Sequence, residues 1–120
     1  MSVRNHRDLV VWQKGMDLVV DVYRVSSAMP KEEMYGLTNQ MRRAAVSIPS
    51  NVAEGHGRKN DNELLRFLSY SQGSLCELDT QLTASERLGF LDGSKLSPVF
   101  SLLEQVTKLA AAFSAKIKQG

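Results

Sequence analysis

The chain has 120 residues, of which 42% are hydrophobic, 23% charged and 7% aromatic, the composition of an ordinary water-soluble domain with enough length for one core. Its single cysteine, Cys76, excludes an internal disulfide and any metal site made of several cysteines, and points to a reducing compartment such as a cytoplasm. The amino-terminal Met1 to Asp8 stretch is polar and lacks the apolar core of a signal peptide. No run approaches a membrane span, so no membrane partner is expected.

The net charge is only +2. Its distribution is uneven: between Met34 and Asn60 stand Arg42, Arg43, Arg58 and Lys59 against the single acid Glu54. Such a segment is an electrostatic footprint for nucleic acid, and it is equally the pattern of a solvated helix face.

The first periodic segment spans about 9–28. Leu9, Trp12, Met16, Val19, Val20 and Tyr23 recur at three- and four-residue spacing, which predicts an amphipathic helix. Asp8 is its expected N-cap, and Met29-Pro30 closes it. A second row, Val11, Leu18, Val22 and Val25, runs along another side of the same helix. One row suffices for the chain's own bundle, so the second is assigned to a contact with another subunit.

The next segment, about 35–55, places Leu37, Met41, Ala45, Ile48 and Val52 on one side and a polar row containing Gln40, Arg43, Ser47, Glu54 and Arg58 on the other. Pro49 inside it removes a backbone donor and predicts a kink. The third helix, about 61–88, opens at Asn60 with Glu63 three residues on, the pattern of a capping box. Leu64, Leu68, Ser71, Leu75, Leu78, Leu82 and Ser85 form its inner row. The cluster Ser71, Gly73 and Ser74 predicts close approach of another helix. The fourth helix, about 95–118, carries the heptad row Leu96, Val99, Leu103, Val106, Ala110, Phe113 and Ile117, with Ser97-Pro98 as its expected start. Four helices with short connections in one domain, 1–120, predict an all-α fold, an antiparallel up-and-down four-helix bundle.

Little in this sequence carries catalysis. A di-metal site in such a bundle needs Glu-x-x-His pairs, and none occurs. His6 and His56 are far apart in sequence, Cys76 sits among leucines where a buried thiol is expected, and Glu54-Gly55-His56-Gly57-Arg58 lacks the lysine of a phosphate loop. No catalytic, cofactor or metal residues are assigned, and no cofactor is expected. Trp12, Tyr35 and Tyr70 fit core positions better than base-stacking ones.

The stretch Tyr35-Gly36-Leu37-Thr38-Asn39-Gln40-Met41-Arg42-Arg43-Ala44-Ala45-Val46-Ser47-Ile48-Pro49-Ser50-Asn51-Val52-Ala53-Glu54-Gly55 resembles the signature of the 23S ribosomal RNA intervening-sequence proteins. The likeness extends upstream through Leu9-Val10-Val11-Trp12-Gln13-Lys14 and downstream through Arg66-Phe67-Leu68 and Gly73-Ser74-Leu75-Cys76-Glu77-Leu78. Where the family often has a basic residue, this chain has Gln72. The resemblance implies a small bacterial four-helix bundle assembled as a homopentameric ring, non-enzymatic, with a basic surface for RNA or DNA. Similar bundles, the accessory proteins of diversity-generating retroelements, bind a reverse transcriptase, so docking of a protein partner is the alternative. Arg42, Arg43, Arg58 and Lys59 are the expected nucleic-acid contacts, and Val11, Leu18, Val22 and Val25 the expected subunit interface.

Overall fold

The computed structural model describes residues 5–120. The first half of the polar leader therefore lies outside the described residues. Four helices carry the fold: α1 (Val10–Ser26), α2 (Asn39–Gly57), α3 (Asp61–Arg87) and α4 (Gly93–Lys118). Each packs on the next, and α4 returns to α1, so the four form a helical bundle of 45 × 24 × 19 Å. Among the described residues every regular element is helical.

The helix ends follow local chemistry. Asn60 caps α3 by accepting the Glu63 N–H at 3.0 Å, as the capping pattern predicts. Its far end closes on Gly89 at φ +78°, where the N–H groups of Phe90 and Gly89 return to the carbonyls of Ser85 and Glu86. Two boundaries differ from expectation. Asp8 does not cap α1: it lies in a short 3-10 turn, His6–Asp8, and Leu9 takes the N-cap position without a side-chain bond. The start of α4 is Asp92, whose carboxylate accepts from the Ser94 N–H at 3.0 Å, and Pro98 lies inside the helix. An aspartate caps a helix better than a serine followed by proline competes for it, because its charge also meets the positive end of the helix dipole.

The Ser94 N–H holds the Asp92 carboxyl below the ordinary carboxylate range. The bidentate bond from Arg66 does the same for Glu63. A depressed carboxyl stabilises the fold above its unfolded-state value and releases that stability as pH falls through the folded one. Thermal melting is therefore expected to fall below about pH 4, and Asp92→Asn, which caps without titrating, is expected to flatten part of that fall.

The core is built from Leu18, Val22, Met41, Ile48, Val52, Leu68, Leu75, Leu78, Leu82, Leu96 and Val106, all fully buried or nearly so. The apolar rows read for α2, α3 and α4 therefore face inward. For α1 the second row lies inside and the first row is split, with Leu9, Trp12 and Val19 against the core. Val11, Leu18 and Val22 are inside the chain's own bundle at 4%, 0% and 0% exposure, so these three cannot form a surface for another subunit, while Val25 is half-buried against the same core. The outward row is Met16, Val20 and Tyr23. Gly15 and Ser26 share the inner face with Val11, Leu18 and Val22, and Gly15 faces α2, where a Cβ at its position would stand in ordinary contact with Pro49, 3.5 Å from its Cβ. Trp12 stays half-buried at the edge of the core, edge-on to His6 with centroids 5.2 Å apart.

Helix α2 runs unbroken through Pro49. Its contact with α3 is a polar seam of small side chains. The Ser71 hydroxyl donates to the Ile48 carbonyl at 2.8 Å in the buried interior and the hydroxyls of Ser47 and Ser74 bond at 2.6 Å, while within α2 the Asn51 amide donates to the Ser47 carbonyl at 2.8 Å. Close approach is thus set by Ser71 and Ser74. Gly73 faces open space, so its lack of a side chain serves no packing purpose. Gly73→Ala is expected to raise stability by about 0.5–1 kcal/mol, measured by thermal or urea unfolding.

Candidate nucleic-acid interface

The residues before α2, Met34–Thr38, form a turn kinked at Gly36 (φ −112°, ψ −117°) and tied by the Glu33 carboxylate, which accepts the Leu37 N–H at 3.3 Å. Arg42 and Arg43 follow in the first turns of α2, and Arg58 and Lys59 lie just past its C-terminal end. Sixteen helical positions separate the two pairs, about 24 Å along the axis. The four expected basic residues therefore form two sites.

At the first site the two arginines behave differently. Arg42 is half-buried: its Nε donates to the Ser26 hydroxyl at 2.8 Å, and its guanidinium carbon lies 4.7 Å from the centre of the Tyr23 ring. It fastens α2 to the end of α1 while leaving donors on its outer edge. Arg43 is exposed, one step round the helix. From Asn39 to Ala53 these two are the only charged residues, so α2 supplies no carboxylate of its own to neutralise them.

The second site is more nearly balanced. Arg58 pairs with Glu54 at 3.2 Å, and Arg66 pairs with Glu63 at 2.9 Å. Both guanidinium groups lie over the buried Phe67 ring, each 5.1 Å from its centre. Arg66 also donates to the Tyr70 hydroxyl at 3.2 Å, and Tyr70 remains exposed. Lys59 is exposed in the connection at φ +55°. Sequence reading passed over Arg66 as a member of this site. The signal was available in the spacing of Glu63, Arg66 and Tyr70, which puts them on one side of α3.

Two further expectations are corrected. Cys76 is exposed, because positions 75 and 78 point inward and 76 falls outside that row; it borders a shallow hollow between α3 and α4 with Asp79 and Phe100. Tyr35, expected in the core, is 94% exposed, and Tyr70 is half-exposed at its own site. Among the described residues no three His, Cys, Asp or Glu side chains gather as metal ligands, and no helix is long and apolar enough to cross a membrane.

A cavity of about 920 Å³ opens at one end of the bundle, between the end of α1 and the turn joining α3 to α4. Val25, Ala28, Phe90 and Val99 line it, with Arg24 and Lys95 also on its wall.

The sequence model of the family described as 23S rRNA-intervening sequence protein matches residues 7–112. No curated protein matches the chain.

Proposed function

The chain belongs to the 23S rRNA-intervening sequence protein family, and from that footing we propose that it is a non-enzymatic, cytoplasmic, homo-oligomeric bundle that binds RNA or DNA through the basic start of α2. The observation that carries the binding is the pair Arg42 and Arg43 in a stretch of fifteen residues without an acid, on a surface where Arg43 is exposed. Guanidinium groups match phosphate oxygens in geometry as well as charge. Contacts of that kind hold the nucleic-acid backbone and do not select sequence.

The assembled state is a ring, a homopentamer, of up-and-down antiparallel bundles. The pairings of Gly15 with Pro49 and of Arg42 with Ser26 support opposite directions for α1 and α2, as those of Ser71 with Ile48 and Gly55 with Phe67 do for α2 and α3. The outward row Met16, Val20 and Tyr23 supports self-association, since an ordered apolar row in water favours being covered.

Fluorescence anisotropy with a short labelled RNA and a short DNA duplex tests the binding. Affinity is expected to fall steeply with salt, and Arg43→Ala to lower the log–log salt slope by about 1 for every sequence alike. Arg43→Ala is the cleaner variant, because Arg42→Ala also cuts the tie to α1. Binding that ignores salt, or no binding, contradicts the reading.

A second reading, a scaffold that docks a protein such as a polymerase, draws on the engagement of Arg42 by Ser26 and Tyr23 and on the pairing of Arg58 and Arg66 with their own glutamates. It expects a stoichiometric protein partner that survives nuclease treatment.

A further inference from the structure

Tyr35 is 94% exposed, on the turn that leads into the arginine-bearing start of α2. The turn is tied down: Glu33 accepts the Leu37 N–H across it, and the same carboxylate lies 2.9 Å from where a Cβ on Gly36 would stand. A ring carried on a tied turn loses little backbone freedom when a ligand covers it, so its apolar face is available for binding at low cost.

The surrounding charges decide which ligand suits it. Arg42 and Arg43 follow about two turns further on, roughly 11 Å along the axis, and no acid stands between Asn39 and Ala53. Arg43 is exposed and makes no ion pair among the described residues. Asn39 and Gln40, both exposed, lie between ring and arginines and offer amide groups to sugar, phosphate or base. On the other side of Tyr35 the charge is reversed, with Glu32 exposed and the Glu33 carboxylate fixed across the turn. Phosphate is thus drawn to the arginines and repelled next to the ring, whereas a nucleobase is uncharged and has a π-face to lay on it. A duplex keeps its bases stacked inside, so it presents phosphate to the glutamates as well as to the arginines. A strand with unpaired bases does not, and a few nucleotides at about 3.4 Å or more each bridge the distance.

We infer that the start of α2 takes single-stranded RNA or DNA, with one unpaired base stacked on Tyr35 and the neighbouring phosphates on Arg43 and the outer edge of Arg42. The inference rests on the nucleic-acid reading above and adds the strand state and the residue that senses it.

Fluorescence anisotropy at low salt tests it with four labelled probes: a short oligouridylate, a short oligothymidylate, an abasic strand with the same number of phosphates, and a duplex of equal length. Tyr35→Ala is expected to weaken both base-carrying strands about tenfold, the contribution of one stacked base, and to leave the abasic strand and the duplex within about twofold. Its salt slope is expected to match the parent's, since a ring and no charge is removed. Tyr35→Phe is expected to keep the parent affinity, and Arg43→Ala to weaken all four probes alike. Because the side chain is exposed, the helical circular dichroism and melting midpoint of Tyr35→Ala are expected to be those of the parent. A parent that binds none of the probes overturns the nucleic-acid reading and this inference with it. A parent that binds them but loses nothing in Tyr35→Ala, or loses as much on the abasic strand or the duplex, overturns only the stacking and leaves the ring to a protein contact.

Discussion

Leu18→Ala is expected to destabilise the folded chain by about 2–5 kcal/mol, the cost of removing a fully buried leucine and leaving a cavity behind. Leu18 is 0% exposed, and Val11 and Val22 on the same face of α1 are as deeply placed. Urea unfolding measures the loss, and its size is expected to be the same at low and high protein concentration. Val20→Ala, two positions along the same helix and half-exposed, is expected to change the intrinsic stability of the single chain by no more than about 0.5 kcal/mol. Its effect on the apparent midpoint is expected to grow with protein concentration, since a residue covered by another subunit contributes by mass action. The pair of variants thus separates an inward row from an outward one. A concentration-dependent loss at Leu18 with none at Val20 would reverse the assignment.

Gly55→Ala is expected to cost about 1–3 kcal/mol, although alanine is the better helix former. An added Cβ at Gly55 would stand 2.7 Å from the Phe67 Cβ and 3.3 Å from the Leu64 backbone, atoms too close to the main chain of α3 to swing aside. Either α2 and α3 separate at this end or α3 shifts along its axis. Both outcomes disturb the ring of Phe67, over which Arg58 and Arg66 lie. The contrast with Gly73→Ala is the informative part: one substitution on two helices is expected to have opposite signs, decided by what stands opposite the missing side chain. Equal stabilisation at both positions would mean that the α2–α3 crossing is looser than the structure shows.

Much of this architecture was legible in the residues. Strict three- and four-residue spacing placed the inner rows of α2, α3 and α4, and the Asn60 cap fixed the start of α3. Periodicity failed at α1 because both sides of that helix are apolar, and only Met16, Val20 and Tyr23 of the first row face outward. Gly15 and Ser26, which count for little as hydrophobic, lie on the inner face with Val11, Leu18 and Val22. The basic site failed for a different reason. Four cations within one stretch of sequence read as one patch, whereas the continuous helix Asn39–Gly57 puts one pair in its first turns and the other just past its far end. Only tertiary contacts showed that Arg42 is fastened to Ser26 and that Arg66, from α3, joins Arg58. Tyr35 was misplaced because an aromatic residue next to a helical pattern ordinarily faces the core, whereas the backbone kinks at the adjacent Gly36 and leaves Tyr35 outward.

The measurement that bears most directly on the account is the mass of the nuclease-treated protein by light scattering, repeated with a short RNA and a short DNA duplex at low and moderate salt. The account predicts a mass near five times 13.3 kDa, with a nucleic-acid complex that forms at low salt and dissolves as salt rises. A single-chain mass, or an assembly that ignores both nucleic acids at low salt, would contradict it.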